Sequence, residues 1–533
     1  MLRKVIYIIL LIFLLTDVGF SFLQHYTMRL DGDMAGGIVP AADVKPVLKD
    51  PFGVAVLLKK KSYPNPNRFF SHQLLYSYFN KAPLFLQRFV EPIDSVYLSC
   101  ALVKISIQIG LILLLGIFIS GTKNLLRMDL IMAIALITPL FQTNYYRMDI
   151  GIIDKSTTYT FFYALPFLFL LLYFCPLVFQ LYHNKSIFSN WSIKILWIPL
   201  AVVVCLSGPL NPGVALLFSL LVIFAVTRKT YVQSNKKGFV KKCVDAITCI
   251  PKMYWYYLLP IDLFAIYSLY IGQHDSIYIE NSIPFSDLYI KLLNGIVHQL
   301  VQNLGLQILL LVIATNIILI QYQYKTEEVQ RILRSFQWLG LFSLMYILLL
   351  PLGGYRYWRP TIVRYDTLIP VTIGLMFTFG SSTLFLLKRM ADGQKTLYTS
   401  VVVLILLLFT VADKPHFDTN LCERSALKQI SESQDTVVKL QDSCAVLSWK
   451  KIIKPEDSEL NAQLLQIWRI TRVKRLYYNS ASLESNIPDR KVSKYFSYKC
   501  AGLFQSICYY SSKCRSNLPW SQCHVNCNRS PVL

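Results

Sequence analysis

The sequence predicts an all-α, polytopic membrane protein with about eleven transmembrane helices and a small extracytoplasmic α/β domain at its C-terminal end. Three observations support this fold class. Of the 533 residues, 54% are hydrophobic and 16% are charged, a composition far more apolar than that of a soluble domain. Apolar runs long enough to cross a bilayer recur along the chain. The last part, residues 414–533, is instead polar and rich in cysteine.

The first apolar run, residues 4–23, follows Arg3 and Lys4 and contains one charge, Asp17. It lacks the short core and the small-residue cleavage site of a secretory signal, so we interpret it as a retained span with a cytoplasmic N-terminus; a cleaved signal is the alternative. Further spans are expected at 99–120, 128–145, 160–182, 195–207, 214–227, 253–272, 301–322, 336–351, 368–387 and 396–413. The short pair at 195–227 is also compatible with a re-entrant hairpin.

Charge gives the orientation. The formal net charge is +23, but the lysines and arginines punctuate the apolar segments, which indicates lipid head groups and the positive-inside rule rather than nucleic acid. Basic residues concentrate in loops that are inner if the N-terminus is cytoplasmic, above all in residues 228–252. The long loop 24–98 and the tail are then outside. A bacterial inner membrane with a periplasmic tail is the expected location; in a eukaryote the same topology indicates the endoplasmic reticulum.

The tail contains seven of the twelve cysteines, at positions 422, 444, 500, 508, 514, 523 and 527. This density is typical of an oxidising compartment, and zinc binding is the alternative, without paired Cys-x-x-Cys spacing to support it. Residues 436–447 have a strand-like pattern, and a helical pattern begins at Pro455 and continues through Trp468. The chain therefore divides into a membrane module, 1–413, and an α/β domain, 414–533.

The loop that follows the first span contains the strongest candidate for catalysis. Asp31 and Asp33 flank Gly32 directly after the apolar run, where two carboxylates at the membrane surface suit general base catalysis. The same pair also suits a turn or a helix cap. Further along the loop, the prolines and asparagines of residues 63–68 predict a turn, and residues 71–90 predict short helices in the membrane interface.

Two other outer loops contain charges that the topology does not require. Arg147, Asp149 and Lys155 follow the third span. The loop after the ninth span is more unusual, because its arginines run against the positive-inside bias and a guanidinium group binds phosphate bidentately. The alternative is that these arginines snorkel to lipid head groups or pair with Asp366. The candidate phosphate-binding residues of this loop are Arg356, Arg359, Arg364 and Tyr365.

The order of these features resembles a known family. A first span is followed by an acidic pair in a long outer loop, and then by a His-x-x-Leu-x-Tyr-like segment that leads to an arginine-bearing interfacial helix. This order, over residues 1–370, is similar to the GT-C superfamily of membrane glycosyltransferases, in particular the protein mannosyltransferase and aminoarabinose transferase groups. That family often has a His-Pro-Pro-Leu-Tyr-Tyr run, and Gln73 and Leu74 replace its prolines here. The matching positions are His72, Leu75, Tyr76 and Tyr78.

The resemblance implies a GT-C-like fold and an inverting sugar transfer on the outer face, from a polyprenyl-phosphate-linked donor to a glycan, lipid or protein acceptor. Asp31 or Asp33 is then the general base, with Asp33 preferred. The implied phosphate clamp is Arg356, Arg359 and Arg364 with Arg147 or Lys155, and His72, Asp149 and Tyr365 complete the expected substrate site. No cofactor is required, although Asp31, Asp33 and Asp149 would suit a divalent metal ion.

Other functions have less support. The chain contains neither a Gly-x-x-x-x-Gly-Lys phosphate loop nor a His-Glu-x-x-His pair, which excludes common nucleotide hydrolysis and zinc proteolysis motifs. A polysaccharide polymerase or ligase is one alternative, but such proteins usually have their long loop late in the chain. A lipid-linked glycan transporter or flippase is the other. It predicts internal repeats, of which the sequence has no clear one, and ionisable residues near mid-membrane, whereas Asp17, Lys104 and Asp262 lie closer to the ends of the spans or stand alone.

Overall fold

Long apolar helices make up most of the protein. The computed structural model describes residues 2–141, 150–185, 195–233, 238–280, 283–302, 304–356, 359, 361–413, 417–441 and 444–480. All of them belong to one compact unit, Met1–Ser480. The prediction of a mostly helical membrane protein is confirmed.

The helices of the N-terminal half alternate between long apolar segments and short segments that lie in loops. The first outer loop contributes five of the short ones, between α1 and α7. The helices are α1 Leu2–Tyr26, α2 Met34–Ile38, α3 Lys45–Lys49, α4 Val54–Lys59, α5 Phe69–Phe79, α6 Ala82–Leu86, α7 Pro92–Ser120, α8 Met128–Ile137, α9 Thr157–Tyr159 and α10 Leu165–His183. A single π-helical segment, Thr160–Ala164, joins α9 to α10.

The second half continues in the same way. Its helices are α11 Trp197–Cys205, α12 Asn211–Gln233, α13 Phe239–Thr248, α14 Lys252–Gly272, α15 Ser276–Glu280, α16 Phe285–Gln302, α17 Leu304–Gln323, α18 Glu327–Leu349, α19 Ile369–Arg389, α20 Asp392–Ala412, α21 Leu421–Glu432 and α22 Glu459–Ile467. Short 3₁₀ segments extend α8 and α18 and precede α22.

Eight helices of the described part of the chain are long and apolar enough to cross a membrane: α1, α7, the α9–α10 helix, α12, α17, α18, α19 and α20. Each coincides with a predicted span. The other three predicted spans, at 128–145, 195–207 and 253–272, fall on α8, α11 and α14, of which α8 and α11 are short. The expected number of about eleven is therefore not confirmed by helix length and composition alone.

The described part of the tail contains helices and a small sheet. Strand β1, Val437–Leu440, pairs in parallel with β2, Leu476–Asn479, in the register Val437 to Leu476, and α22 lies between the two strands in sequence. Cys422 and Cys444 form a disulfide that joins α21 to the segment after β1. The remaining five tail cysteines lie outside the described residues.

Two hydrophobic clusters position the functional site. The larger one packs the membrane helices together, whereas the second joins the first outer loop and the start of α7 to the tail. In the second cluster Trp468 of the tail is fully buried and packs against Phe79 of α5, with its indole N–H donated to the Phe79 carbonyl. The tail residues up to Ser480 are thus packed on the first outer loop.

Candidate active site

A large cavity of about 1700 Å³ lies where the first outer loop, the loop before α9, the loop after α18 and the tail meet. Its lining changes character along its length. Apolar side chains of membrane helices line one part, cationic side chains line another, and residues of the tail also contribute. Enclosure by several loops is typical of a ligand site rather than of a gap between helices.

The two aspartates of the first loop have different surroundings. Asp31 is buried and accepts hydrogen bonds from the backbone N–H of Thr158, at 3.0 Å, and from its hydroxyl, at 2.7 Å. Asp33 lines the cavity, whereas Asp31 does not. Asp31 therefore ties the first loop to the start of α9, and Asp33 is the member of the pair that a substrate can reach.

Asp33 is partnered by a residue from the far end of the chain. The indole N–H of Trp449 donates to Oδ1 of Asp33 at 3.0 Å. Burial raises the pKa of Asp33, and this effect outweighs the lowering by the Trp449 hydrogen bond and by the guanidinium groups of Arg359 and Arg356. A carboxylate with a raised pKa is a stronger base than an exposed one and suits proton abstraction from a hydroxyl.

Gly32 allows this contact. A Cβ atom placed on Gly32 would lie 2.5 Å from the backbone nitrogen of Trp449 and 2.6 Å from its Cδ1. Any side chain at Gly32 would therefore displace the tail segment that contains Trp449. The requirement for glycine between the two aspartates is steric. The turn that the sequence also suggests is present, since the backbone N–H of Asp33 donates to Oδ1 of Asp31 at 3.2 Å, and Asp33 is the N-cap residue of α2, without a side-chain capping bond.

A second carboxylate, Asp154, lines the cavity close to Lys155. Its Oδ2 accepts from the Tyr365 hydroxyl at 2.7 Å, and its Oδ1 accepts from the Ser156 backbone N–H at 2.7 Å. Burial raises the pKa of Asp154 to about 6, although these two hydrogen bonds lower it. Both oxygens of Asp154 are engaged, which favours a structural role that positions Tyr365.

The arginines of the loop after α18 line the middle of the cavity. Arg359 donates to the Tyr159 hydroxyl at 2.5 Å, and its guanidinium carbon lies 5.1 Å from the centre of the same ring. Arg356 donates to Oδ1 of Asn65 at 2.5 Å and lies 4.0 Å from Oδ2 of the buried Asp275. Both side chains are therefore held in fixed positions by the first loop, α9 and the loop before α15.

The Nη2 atom of Arg364 lies 2.7 Å from Oδ2 of Asp366, which is the ion pair expected if the two residues were only structural. The Nε and Nη1 atoms of Arg364, however, are buried without a hydrogen-bond acceptor among the described residues. Arg364 also lines the cavity. Because a buried guanidinium donor without an acceptor is costly, this side chain is suited to receive the oxygens of an anionic ligand.

Arg68 adds a further cation to this part of the lining, and His72 lies in the lining as well. Arg68 donates to the Tyr278 hydroxyl at 3.1 Å, and its Nε has no acceptor among the described residues. Both ring nitrogens of His72 are likewise buried and unpartnered there. Burial, with the positive charges of Arg68 and Arg356, lowers the pKa of His72 to about 3, so its imidazole is neutral and offers one N–H donor.

Tyr278 lies between two guanidinium groups. The Arg356 guanidinium carbon is 5.8 Å from the Tyr278 ring centre, and Arg68 is bonded to its hydroxyl. Burial acts to raise the pKa of Tyr278, but the positive charges of Arg68 and Arg356 outweigh it and hold the pKa below its usual value. The two guanidinium groups thus favour negative charge at this position.

The apolar end of the cavity is an arm between α12, α14 and α18. Its lining follows α12 from Gly213 to Ile223, a distance of about 15 Å at the rise of an α-helix. Ile223 and Asp262, the lining residue on α14, lie near the middle of these two helices. The arm thus reaches from the cationic region towards the centre of the membrane. Its other apolar members include Leu216, Leu217, Leu220, Ile266, Leu269, Met345 and Leu349.

One buried residue of the tail is bonded to both of the segments that form the Asp33–Trp449 hydrogen bond. The Glu423 carboxylate accepts from the backbone N–H of Leu30 at 2.9 Å, from that of Leu447 at 3.0 Å and from the Tyr97 hydroxyl at 2.9 Å. Burial raises the pKa of Glu423 to about 7. Glu423 therefore connects the loop of Asp33, the segment of Trp449 and the start of α7.

Most of the predicted site residues lie on this one cavity. Asp33, His72, Lys155, Arg356, Arg359, Arg364 and Tyr365 all line it. Arg147 and Asp149 lie outside the described residues. Within the described part of the chain no group of three or more His, Cys, Asp or Glu side chains is placed to hold a metal ion. The roles of these residues stay predictions.

The lining residues that were not predicted from the sequence include Arg68, Tyr159, Tyr278 and Trp449. Arg68 offered a signal, because it is a cation directly after the proline-rich turn of the outer loop. The turn itself is present, with Asn65 in the left-handed region at φ 55°. No comparable signal distinguishes Trp449 from the other aromatic residues of the chain.

Comparisons with known proteins add no assignment. No protein-family model, no curated protein and no solved structure matches the chain. The function is therefore inferred from the geometry of the cavity.

Proposed function

We propose that this protein is an integral membrane glycosyltransferase that moves a sugar from a polyprenyl-phosphate donor to an acceptor hydroxyl on the outer face, with inversion. One observation carries the proposal: a single cavity joins an apolar arm within the membrane, a cationic region and a carboxylate of raised pKa. The arm suits a long apolar chain, the arginines suit its phosphate, and Asp33 suits an acceptor hydroxyl.

The proposed chemistry needs one base and one anion site. Asp33 accepts the proton of the acceptor hydroxyl, whose oxygen forms a bond to the anomeric carbon. The bond between that carbon and the phosphate oxygen breaks, and the electron pair leaves with polyprenyl phosphate. The phosphate gains one negative charge in this step. Arg356, Arg364 and Arg68 supply fixed positive charge for it, and fixed charges that stabilise a leaving group are a major source of catalysis.

We propose eleven membrane crossings, because contacts return the chain repeatedly to the face of the first loop. Thr158 bonds to Asp31, so α7 and α8 both cross. The backbone N–H of Phe70 donates to Leu206, so α10 and α11 both cross. The same reasoning applies to the later pairs of helices. These contacts are Ser276 to Tyr63 for α12 and α14, Arg356 to Asn65 for α17 and α18, and Leu30 to Glu423 for α19 and α20.

This arrangement, a GT-C-like organisation, favours transfer over transport. The lining comes from the outer loops, the tail and the outer parts of the membrane helices, and its deepest residues on α12 and α14 lie at mid-helix. A transporter requires a path that reaches both faces. The disulfide between Cys422 and Cys444 supports an oxidising outer compartment, such as a bacterial periplasm, for the tail.

The test measures release of polyprenyl phosphate by the purified protein in liposomes, from a panel of polyprenyl-phosphate-linked hexoses with membrane extract as the acceptor source. We expect acceptor-dependent release by the wild type. Asp33→Asn should lower the rate about 10²- to 10⁴-fold. Arg68→Ala and Arg364→Ala should raise the KM for the donor at least about tenfold.

Matched controls separate chemistry from folding. Asp287→Asn removes an exposed carboxylate, and Arg88→Ala removes a loop arginine, and neither residue lines the cavity. Both variants should release polyprenyl phosphate at the wild-type rate. If the wild type releases none from any donor, or if Asp33→Asn is as active as Asp287→Asn, the proposal is wrong.

A further inference from the structure

The tail lines the cavity together with Asp33, to which Trp449 is hydrogen-bonded. Its lining residues there include Ser448, Trp449, Ile452, Asp457, Leu460 and Asn461. In the proposed reaction the donor lipid occupies the arm and its phosphate lies among the arginines. An acceptor must therefore reach Asp33 from the side that the tail lines.

Trp449 has an unusual position in this region. Its relative exposure is 56%, although its indole N–H is bonded to Asp33 and its ring centre lies 6.0 Å from that of Tyr159. The close approach of Gly32 fixes the backbone of Trp449 against the first loop. A large aromatic ring is thus held in place beside the base and remains open to the cavity, where burial of its apolar face by a ligand would be favourable.

Other residues of the tail add polar and acidic groups to the cavity lining. Asp457 and Glu456, both exposed, line the cavity with the hydroxyl of Ser448. Hydroxyl and carboxylate groups beside an open indole suit a ligand that combines an apolar C–H face with hydroxyl groups, which describes a sugar ring. Carboxylates in the lining repel an anionic ligand.

We infer that the tail supplies the acceptor subsite of this enzyme, and that the acceptor is a saccharide without negative charge whose ring stacks on Trp449. Stacking there places an acceptor hydroxyl beside Asp33, because the same indole donates to that carboxylate. That this saccharide is the acceptor rests on the proposed function. The binding of a saccharide to Trp449 does not, since it requires neither the donor nor turnover.

The experiment measures saccharide binding to the full-length protein in lipid nanodiscs by saturation-transfer NMR. The probes are maltotetraose, cellotetraose and chitotetraose, with a hyaluronan tetrasaccharide as the anionic probe and a threonine-containing tetrapeptide as the peptide probe. At least one neutral tetrasaccharide should bind to the wild type. Trp449→Ala should weaken this binding at least about tenfold, whereas Trp449→Phe, which retains an aromatic face, should stay within about threefold.

Trp255→Ala is the matched control, because Trp255 is also exposed, at 39%, but does not line the cavity. It should bind the saccharide as the wild type does, and so should Asp33→Asn, which loses polyprenyl phosphate release. The inference is overturned if no neutral tetrasaccharide binds, if Trp449→Ala binds as well as Trp255→Ala, or if only the peptide or the anionic probe binds. Release without saccharide binding refutes the inference alone, and saccharide binding without release refutes the proposed function alone.

Discussion

The indole Nε1 of Trp449 and the carboxylate Oδ1 of Asp33 lie 3.0 Å apart, although 416 residues separate them in the sequence. This hydrogen bond stabilises the ionised form of Asp33, while burial destabilises it. The basicity of the proposed catalytic carboxylate is therefore set in part by the tail.

Removal of this hydrogen bond should change the pH dependence of the reaction. Trp449→Phe deletes the N–H donor, so the pKa of Asp33 should rise further. Because the base must be deprotonated, the acidic limb of kcat/KM against pH should move to higher pH, by roughly half a unit to one unit. The measurement is polyprenyl phosphate release between pH 4 and pH 8. A limb that stays in place, or moves to lower pH, contradicts the assignment of Asp33 as the base.

Substitutions of the two aspartates of the first loop should have different effects on activity and on stability. Asp33→Asn should lose activity while its thermal unfolding stays close to that of the wild type. Asp31→Asn places an amide where Thr158 donates two hydrogen bonds, and it should cost about 1–3 kcal/mol of local stability with less than about a tenfold loss of rate. Hydrogen exchange at Thr158 and release assays measure the two effects. The reverse pattern would make Asp31 the base.

The stability of the tail should depend on the ionisation of Glu423. Its pKa is about 7 in the folded protein against a usual 4.5, so its stabilising effect is fully present below pH 4.5 and is lost as the pH rises through 7. Between pH 5 and pH 8 the loss should be on the order of 3 kcal/mol. Hydrogen exchange at the amides of Leu30 and Leu447 measures it. Glu423→Gln should make the opening free energy, obtained after correction for the intrinsic pH dependence of amide exchange, nearly independent of pH, and an unchanged slope of this free energy would exclude Glu423 as the cause.

Gly213 offers a test of the apolar arm. It lines the cavity, and a Cβ atom added there would meet no other atom within 4 Å. Gly213→Ala should leave donor affinity unchanged and stabilise α12 by up to about 1 kcal/mol. Gly213→Trp should obstruct the arm and raise the KM at least about tenfold for a long-chain donor. A water-soluble donor with a short lipid chain should be unaffected; if both donors are affected equally, the arm does not hold the lipid.

The membrane helices were predictable because apolar length is a local property of the sequence. Seven predicted site residues lie together because loops on one face of a helical bundle are close to one another. The separation of Asp31 from Asp33 was not predictable. It depends on Thr158, whose hydrogen bonds to Asp31 form only once α9 packs beside the first loop.

Helix length also limits what a sequence reveals. α11 spans nine residues and α8 ten, too few to be distinguished from buried helices by composition, and only their contacts support crossing. Trp449 escaped prediction for a different reason. Its position beside Asp33 depends on the absence of a side chain at Gly32. Nothing in the sequence around Gly32 or around Trp449 links the two positions.

The contacts of Glu423 and Trp449 with the first loop also affect how the protein is made. Asp33 leaves the ribosome among the first residues, whereas its partner Trp449 emerges only after the last membrane helix, α20. A nascent chain therefore contains Asp33 long before it contains Trp449 and the other tail residues that line the cavity. The finished site can assemble only after the tail has been made and has packed on the first loop, so incomplete chains in the membrane should be inert.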